Sequence, residues 1–378
     1  MIKAGFITYG LDRIQTGIGR YSLELLRKYP DIAEGFNIIP LTAGRVVARR
    51  SVLEPYQPIS LRASRLVPAL LTVGAFEIQR VSKQLGLDLI HDPIGISPFF
   101  FGVGQAKKLI TIHDVIPLSC PGNSTFLDSL IYHFWLPRIT PRVSRVITVS
   151  ESSKRDIIRY LGVSQECIRV IHQGIGSEFR MIEESVQRAV ADKYQLPQEF
   201  VLFVGSIEKR KNLVGVIEAM HLLAQLGARL PLVVVGPKLR NYPELERTIR
   251  QLGFCMGSDM IFTGYINDGE LPIIYNCATL FVFPSFYEGF GFPPLEAMAC
   301  GTPVICSDRS SLPEIVGQAA LQVDPENTEA LAKGIERIWQ DRELARDMRE
   351  KGLAQAEKFT WQRTAQQTLS VYREAIDD

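Results

Sequence analysis

Short apolar runs and amphipathic stretches alternate along the whole of this chain. Unbroken clusters of Val, Ile, Leu and Phe predict strands buried on both faces, and apolar residues at 3.6-residue spacing predict helices with one packed side. In the first half the strands are expected at Lys3–Tyr9, Leu89–His91, Lys108–His113, Val143–Thr148 and Ile168–Ile171. In the second half they are expected at Val201–Val204, Leu232–Val235, Met260–Phe262, Leu280–Phe283, Val304–Cys306 and Ala320–Val323. Helical patterns fill the gaps, among them Gly19–Lys28, Lys154–Leu161, Leu213–Leu226, Pro243–Leu252 and Thr328–Asp341. Strands alternating with helices read as parallel sheets joined by crossovers, so two successive series predict two doubly wound α/β domains. The break near Gly174–Met181 is the expected hinge, and Trp361–Ile376 is a final helix with no strand after it. The predicted division is therefore residues 1–178, residues 179–360 and a terminal helix at 361–378.

Composition narrows the class without naming a chemistry. A chain of 378 residues with 46% hydrophobic and 22% charged positions is an ordinary globular protein long enough for two domains. Its six cysteines are scattered, with no Cys-x-x-Cys, which suits a reducing cytoplasm. The N-terminal apolar run is too short for a signal peptide, and the longest one, Leu66–Phe76, contains a proline and cannot span a bilayer. Charge is lopsided: positions 1–190 carry 23 basic and 16 acidic residues (+7), and the remainder carries 19 and 25 (−6). Arg45, Arg49, Arg50, Arg62, Arg65 and Arg80 crowd around the apolar stretch. Such a face suits anionic lipid headgroups at the inner surface of a membrane, or a charged acceptor; dispersed solvated arginines are the plain alternative. No nucleic-acid partner is expected.

The segment Glu288-Gly-Phe-Gly-Phe-Pro-Pro-Leu-Glu296 changes the picture most. Pro293 and Pro294 suit the first turn of a helix and Gly301 its end, which puts Glu296 on the helix and Glu288 in the loop before it. Gly289 and Gly291 let the backbone approach a ligand at the positive end of that helix. Two hydroxyl-accepting carboxylates around an anion seat match a nucleotide-sugar, with its diphosphate, ribose and sugar. In an open parallel sheet ligands lie beyond the carboxyl ends of the strands, so the other loops after strands are candidates too. Arg210 and Lys211, after Val204, can neutralise a departing diphosphate, each at about 4 kcal/mol for about 4 Å and an effective dielectric near 20. Thr16-Gly17-Ile-Gly-Arg20 is a glycine loop opening a helix. His113, after Ile112, can hydrogen-bond a sugar or stay structural. Tyr265 and Ile266, after Phe262, can wall a base pocket. The chain contains no Asp-x-Asp, so cations and helix dipole are expected in place of a metal.

Taken together, Gly17-Ile-Gly-Arg-Tyr21, His113-Asp-Val-Ile-Pro117, Val204-Gly-Ser-Ile-Glu-Lys-Arg-Lys-Asn212, the segment from Pro284 to Val304 and the Trp361 helix resemble the retaining family-4 glycosyltransferases of the GT-B fold. That resemblance implies two Rossmann-like domains facing a central cleft, donor on the C-terminal domain, acceptor mainly on the N-terminal one, and a last helix returning to the first domain. It implies Glu296 on the donor ribose, Glu288 on the transferred sugar, Arg210 and Lys211 on the diphosphate, Gly17 near the phosphate and His113 near the anomeric carbon. Gly289, Phe290, Gly291 and Leu295 belong to the same implied donor seat, with Tyr265 and Ile266 at the base. Two departures stand out: Ser206 where many members carry arginine, and Gln173-Gly174 where many carry Asn-Gly. The implied chemistry is metal-independent, cofactor-free hexosyl transfer with retention to a glycan or lipid-linked acceptor. The basic loop resembles members that use GDP-mannose, with a UDP-sugar as the alternative donor. A non-catalytic two-lobed nucleotide-sugar binder and a GT-B epimerase are the competing readings.

Overall fold

The computed structural model describes residues 1–8, 17–43, 50–62, 70–96, 98–99, 102–120, 126–237 and 242–378. Within them the chain forms two compact units, Met1–Gly174 with Thr360–Asp378, and Ile175–Phe359. In the first unit the strands are β1 (Ile2–Ile7), β2 (Phe36–Ala43), β3 (Ile59–Leu61), β4 (Leu89–Asp92), β5 (Lys107–Thr111), β6 (Arg145–Thr148) and β7 (Ile168–Val170). They pair in parallel in the order β3-β2-β1-β4-β5-β6-β7. In the second unit β8 (Val201–Val204), β9 (Leu232–Val235), β10 (Met260–Gly264), β11 (Leu280–Phe283), β12 (Val304–Ser307) and β13 (Leu321–Val323) pair in parallel as β10-β9-β8-β11-β12-β13. The direction of winding therefore reverses between β1 and β4 and between β8 and β11, the two places where such sheets leave a crevice at the strand ends.

Each unit has its own core. β8, β9, β11 and most of β12 consist of residues buried on both faces, which is why they read as continuous apolar runs rather than alternating ones. All eleven expected strands are present, β8, β9 and β11 with the expected ends and the others with shifted ones, although Tyr9 falls outside the described residues. β2 and β3 were not expected. Pro40 interrupts the β2 pattern, yet β3 pairs only with residues 41–43, so the missing N–H falls where β2 is still an edge.

The last helix, Trp361–Asp377, packs on the first unit through Trp361, Thr364, Ala365, Thr368, Leu369, Tyr372 and Ala375, spaced along one side. Tyr372 is fully buried; its hydroxyl lies 2.7 Å from His91 Nδ1 and 3.3 Å from the Tyr29 hydroxyl. Glu374 meets Arg145 and Arg169 at the helix's far end. Gly174 lies so close to the start of this helix that a Cβ there would sit 2.1 Å from the Trp361 nitrogen. Any larger residue at 174 would displace the helix.

Candidate functional site

At the crevice between β8 and β11 three loops converge. The loop after β8 carries Glu208, Arg210 and Lys211, the loop after β11 carries Ser285 and Glu288, and the loop after β12 carries Ser310 and Ser311. Glu288 is the focus. Its Oε1 lies 2.8 Å from an Arg210 guanidinium nitrogen, 3.5 Å from Lys211 Nζ and 2.9 Å from Ser285 Oγ, which donates to it. Burial by itself would raise the Glu288 carboxyl, but the Lys211 and Arg210 charges, with hydrogen bonds from Arg210 and Ser285, outweigh it and hold the group below the usual carboxylate range. Arg210 also donates to the Tyr287 carbonyl at 2.7 Å and meets Glu208 at 3.3 Å, while Lys211 stands 4.8 Å above the Phe283 ring.

The backbone of the Glu288 loop is held from the β12 side. Ser310 has a φ of +61°; in this left-handed turn its Oγ donates to the Glu288 carbonyl at 2.6 Å and accepts from the Glu288 N–H at 3.1 Å. The Ser311 hydroxyl lies 2.6 Å from the Phe290 carbonyl and 2.9 Å from that of Glu288. Gly291 ends the loop at φ +115°, where a Cβ would meet Leu312 at 2.7 Å, and the helix Phe292–Ala299 begins directly after it. Pro293 and Pro294 occupy its first turn, so two of the usual orphan N–H groups are missing there. An anion at this helix end answers to the dipole and the two cations more than to helix amides.

Glu296 sits on that helix as expected, 5% exposed, accepting a 3.1 Å hydrogen bond from the Tyr275 hydroxyl. Gly289 and Phe290 are buried in the loop, and Leu295 is fully buried. Tyr265 is 54% exposed after β10 with Ile266 buried beside it. Glu288, Arg210 and Lys211 are thus brought together by direct ion pairs. The other two candidates belong to the first unit: Gly17 is the exposed first residue of the helix Gly17–Ile32, and Thr16 lies outside the described residues. His113 is 8% exposed, edge-on to Tyr21 at 4.9 Å. Its Nε2 lies 2.9 Å from the Pro93 carbonyl and must donate; its Nδ1 therefore accepts from the Gln173 amide at 2.9 Å. Burial pushes His113 down to about 4, and both ring nitrogens are occupied, so the ring must release a partner before it can serve a sugar.

The Glycosyltransferase Family 4 profile matches residues 16–179, and the Glycosyl transferases group 1 profile matches residues 187–355. O-antigen chain mannosyltransferase B of Escherichia coli is 31% identical over 98% of this chain and 100% of its own length. The chain is a family-4 glycosyltransferase of the GT-B fold. The serotype-specific mannosyltransferase WbdA of Escherichia coli is 35% identical over 68% of this glycosyltransferase, which spans only 32% of WbdA. Sucrose-phosphate synthase from Thermosynechococcus elongatus shares the fold, with a TM-score of 0.78, 22% identity and 99% of each chain covered.

Four polar residues of the glycosyltransferase's site escaped the sequence reading: Glu208, Ser285, Ser310 and Ser311. Position after a strand marks the loop following β12 as readily as the other two, but serine spacing carries no signal for a hydroxyl that binds backbone.

Proposed function

We propose that this glycosyltransferase moves mannose from GDP-mannose to a glycan or lipid-linked acceptor, with retention and without a metal. The observation that carries the proposal is the Glu288 carboxylate held against Arg210 and Lys211 at the β8–β11 crevice, in a chain whose full-length relative is a mannosyltransferase. In this reading the diphosphate takes the two cations from Glu288 as the glycosidic C–O bond to the donor breaks. Glu288 is then free to accept hydroxyl hydrogen bonds from the sugar, and Glu296 to accept them from the ribose. The acceptor oxygen forms the new bond on the same face, and its proton passes to the departing diphosphate, so no enzymic nucleophile is required. Among the described residues no group of three or more His, Cys, Asp or Glu side chains is placed to hold a metal.

Cytoplasmic work at a membrane's inner face fits an acceptor presented on lipid. Among the described residues no helix is long and apolar enough to cross a membrane. Much of the arginine-flanked stretch, including Arg45, Arg49, Arg65 and residues 66–69, lies outside the described residues. The deciding experiment is incubation with labelled GDP-mannose and UDP-sugars in excess chelator, with the product's anomeric configuration read by NMR. Transfer of mannose with an unchanged anomeric configuration is expected; preference for a UDP-sugar, inversion, or activity restored only by magnesium or manganese overturns the corresponding part.

A further inference from the structure

A second charged cavity lies at the opposite, amino-terminal end of the same sheet. Its volume is about 400 Å³, within the range of pockets that take small molecules. Glu199 precedes β8, Thr279 precedes β11 and Pro303 precedes β12, whereas Arg210, Glu288 and Ser310 follow those strands. A four-residue strand separates the two ends by roughly 13 Å.

One wall is the helix Arg342–Ala356, which contributes Arg342, Arg346 and Arg349. Their spacing of four and then three residues puts the three guanidinium groups on one side of the helix. Glu199 is the one carboxylate among the lining residues, and it is already paired with Arg342. Among the described residues, neither Arg346 nor Arg349 has a carboxylate within ion-pair distance. Of the three acidic residues of this helix, Asp347 pairs with Lys351, and Glu343 and Glu350, three residues before and four after Arg346, make no direct ion pair with it. The stem of Arg349 lies beside Gly301, where an added Cβ would be 3.5 Å from its Cγ. Thr279, 3.1 Å from the Phe200 N–H through its Oγ, leaves its own hydroxyl proton to offer.

Two arginines without a direct ion pair and a hydroxyl around a concave surface, in a half of the chain that is otherwise acidic, match one ligand chemistry. Planar guanidinium groups bind phosphate oxygens in pairs, and the cavity exceeds the size of a bare anion. We propose that this cavity is a phosphate-binding site, separate from the β8–β11 crevice, that takes a phosphomonoester or diphosphate carried either by a small metabolite or by a lipid headgroup.

Calorimetric titration of the full chain with pyrophosphate tests this, with R346A/R349A as the variant. Both side chains are exposed, so circular dichroism and Tm are expected to stay unchanged. The wild-type chain should show two classes of site. R346A/R349A should lose one of them, with at least a ten-fold fall in affinity, and R210A/K211A should lose the other. Flotation with vesicles containing phosphatidic acid, whose headgroup is a phosphomonoester, separates the sources. Retention of the wild type, lost in R346A/R349A and competed by pyrophosphate, assigns a headgroup; pyrophosphate binding without retention assigns a soluble phosphate. Identical behaviour of wild type and R346A/R349A toward both probes overturns the site.

Discussion

Glu288 is both the candidate ligand of the transferred sugar and the counter-charge of two nearly buried cations. Its side chain is 12% exposed, and those of Arg210 and Lys211 are 10% and 12% exposed. Glu288→Gln keeps the shape and the hydrogen bond with Ser285 but removes the charge, leaving Glu208 as the remaining carboxylate on Arg210, and Lys211 facing that cation. The expected cost is about 2 kcal/mol, below the full penalty for breaking a buried pair because the amide oxygen still accepts. Transfer should fall by on the order of 100-fold. Binding of the nucleoside diphosphate should tighten, since the carboxylate no longer competes for Arg210 and Lys211. Denaturation, turnover and titration of the product read the three effects separately; unchanged product affinity with unchanged turnover refutes this account of the ion cluster.

Two buried histidines set a second expectation at the same scale. Burial, with the His113 charge as a lesser cause, pushes His91 down to about 3, and burial pushes His113 down to about 4. Both values are depressed in the folded state, so below about pH 6.5 the unfolded chain binds protons that the folded chain refuses. Their contribution is complete above that pH and is lost as pH falls toward 4, amounting to roughly 3 kcal/mol for His113. Glu288 and Glu374, also depressed, act only below the ordinary carboxylate range. Stability measured by denaturant at pH 7 and pH 5 therefore isolates the histidines; equal values at both contradict their neutral burial.

Among the elements, the terminal helix depends on two contacts of different kinds. Tyr372 is buried against His91 and Tyr29, so Tyr372→Phe leaves a buried ring nitrogen without its partner and should cost about 1–2 kcal/mol. Glu374 is about one-third exposed, so Glu374→Gln should cost under about 1 kcal/mol and be hard to see in salt. Thermal unfolding of both variants at low and high salt checks the order. The element pattern itself was legible wherever burial on both faces left an unbroken apolar run, as in β8 and β11. It was obscure where a proline or a short edge intervened, as in β2 and β3. The helix Arg342–Ala356 carries charges on several sides and showed little apolar period. Glu288, Arg210 and Lys211 could be picked out because two strand-end loops carried unusual charge. Their mutual pairing could not, since it depends on β8 and β11 being neighbours although 75 residues of chain lie between them.

For the whole molecule, the first unit is made of two separated pieces of chain, and the second of one continuous piece. Removing residues 360–378 should strip the cover from Tyr29 and His91 and destabilise the first unit alone. In calorimetry an early transition should appear while the transition of residues 175–359 stays where it was; a loss shared by both would show the units to be energetically inseparable.

The close approach of Gly174 to Trp361 has a further consequence for how this chain can be rearranged. Ile175 N–H donates to the Phe359 carbonyl at 3.0 Å, so the segment leaving for the second unit and the segment coming back run side by side. Topologically the second unit is an insertion whose two ends are already joined by a hydrogen bond, and the first unit is a host with a gap about one residue wide. Such a host tolerates exchange of its guest. A chimera that grafts another donor unit between Gly174 and Thr360 should preserve the host's own packing, and a circular permutant of residues 175–359 closed by a short Gly-Ser bridge should fold without redesign of its core.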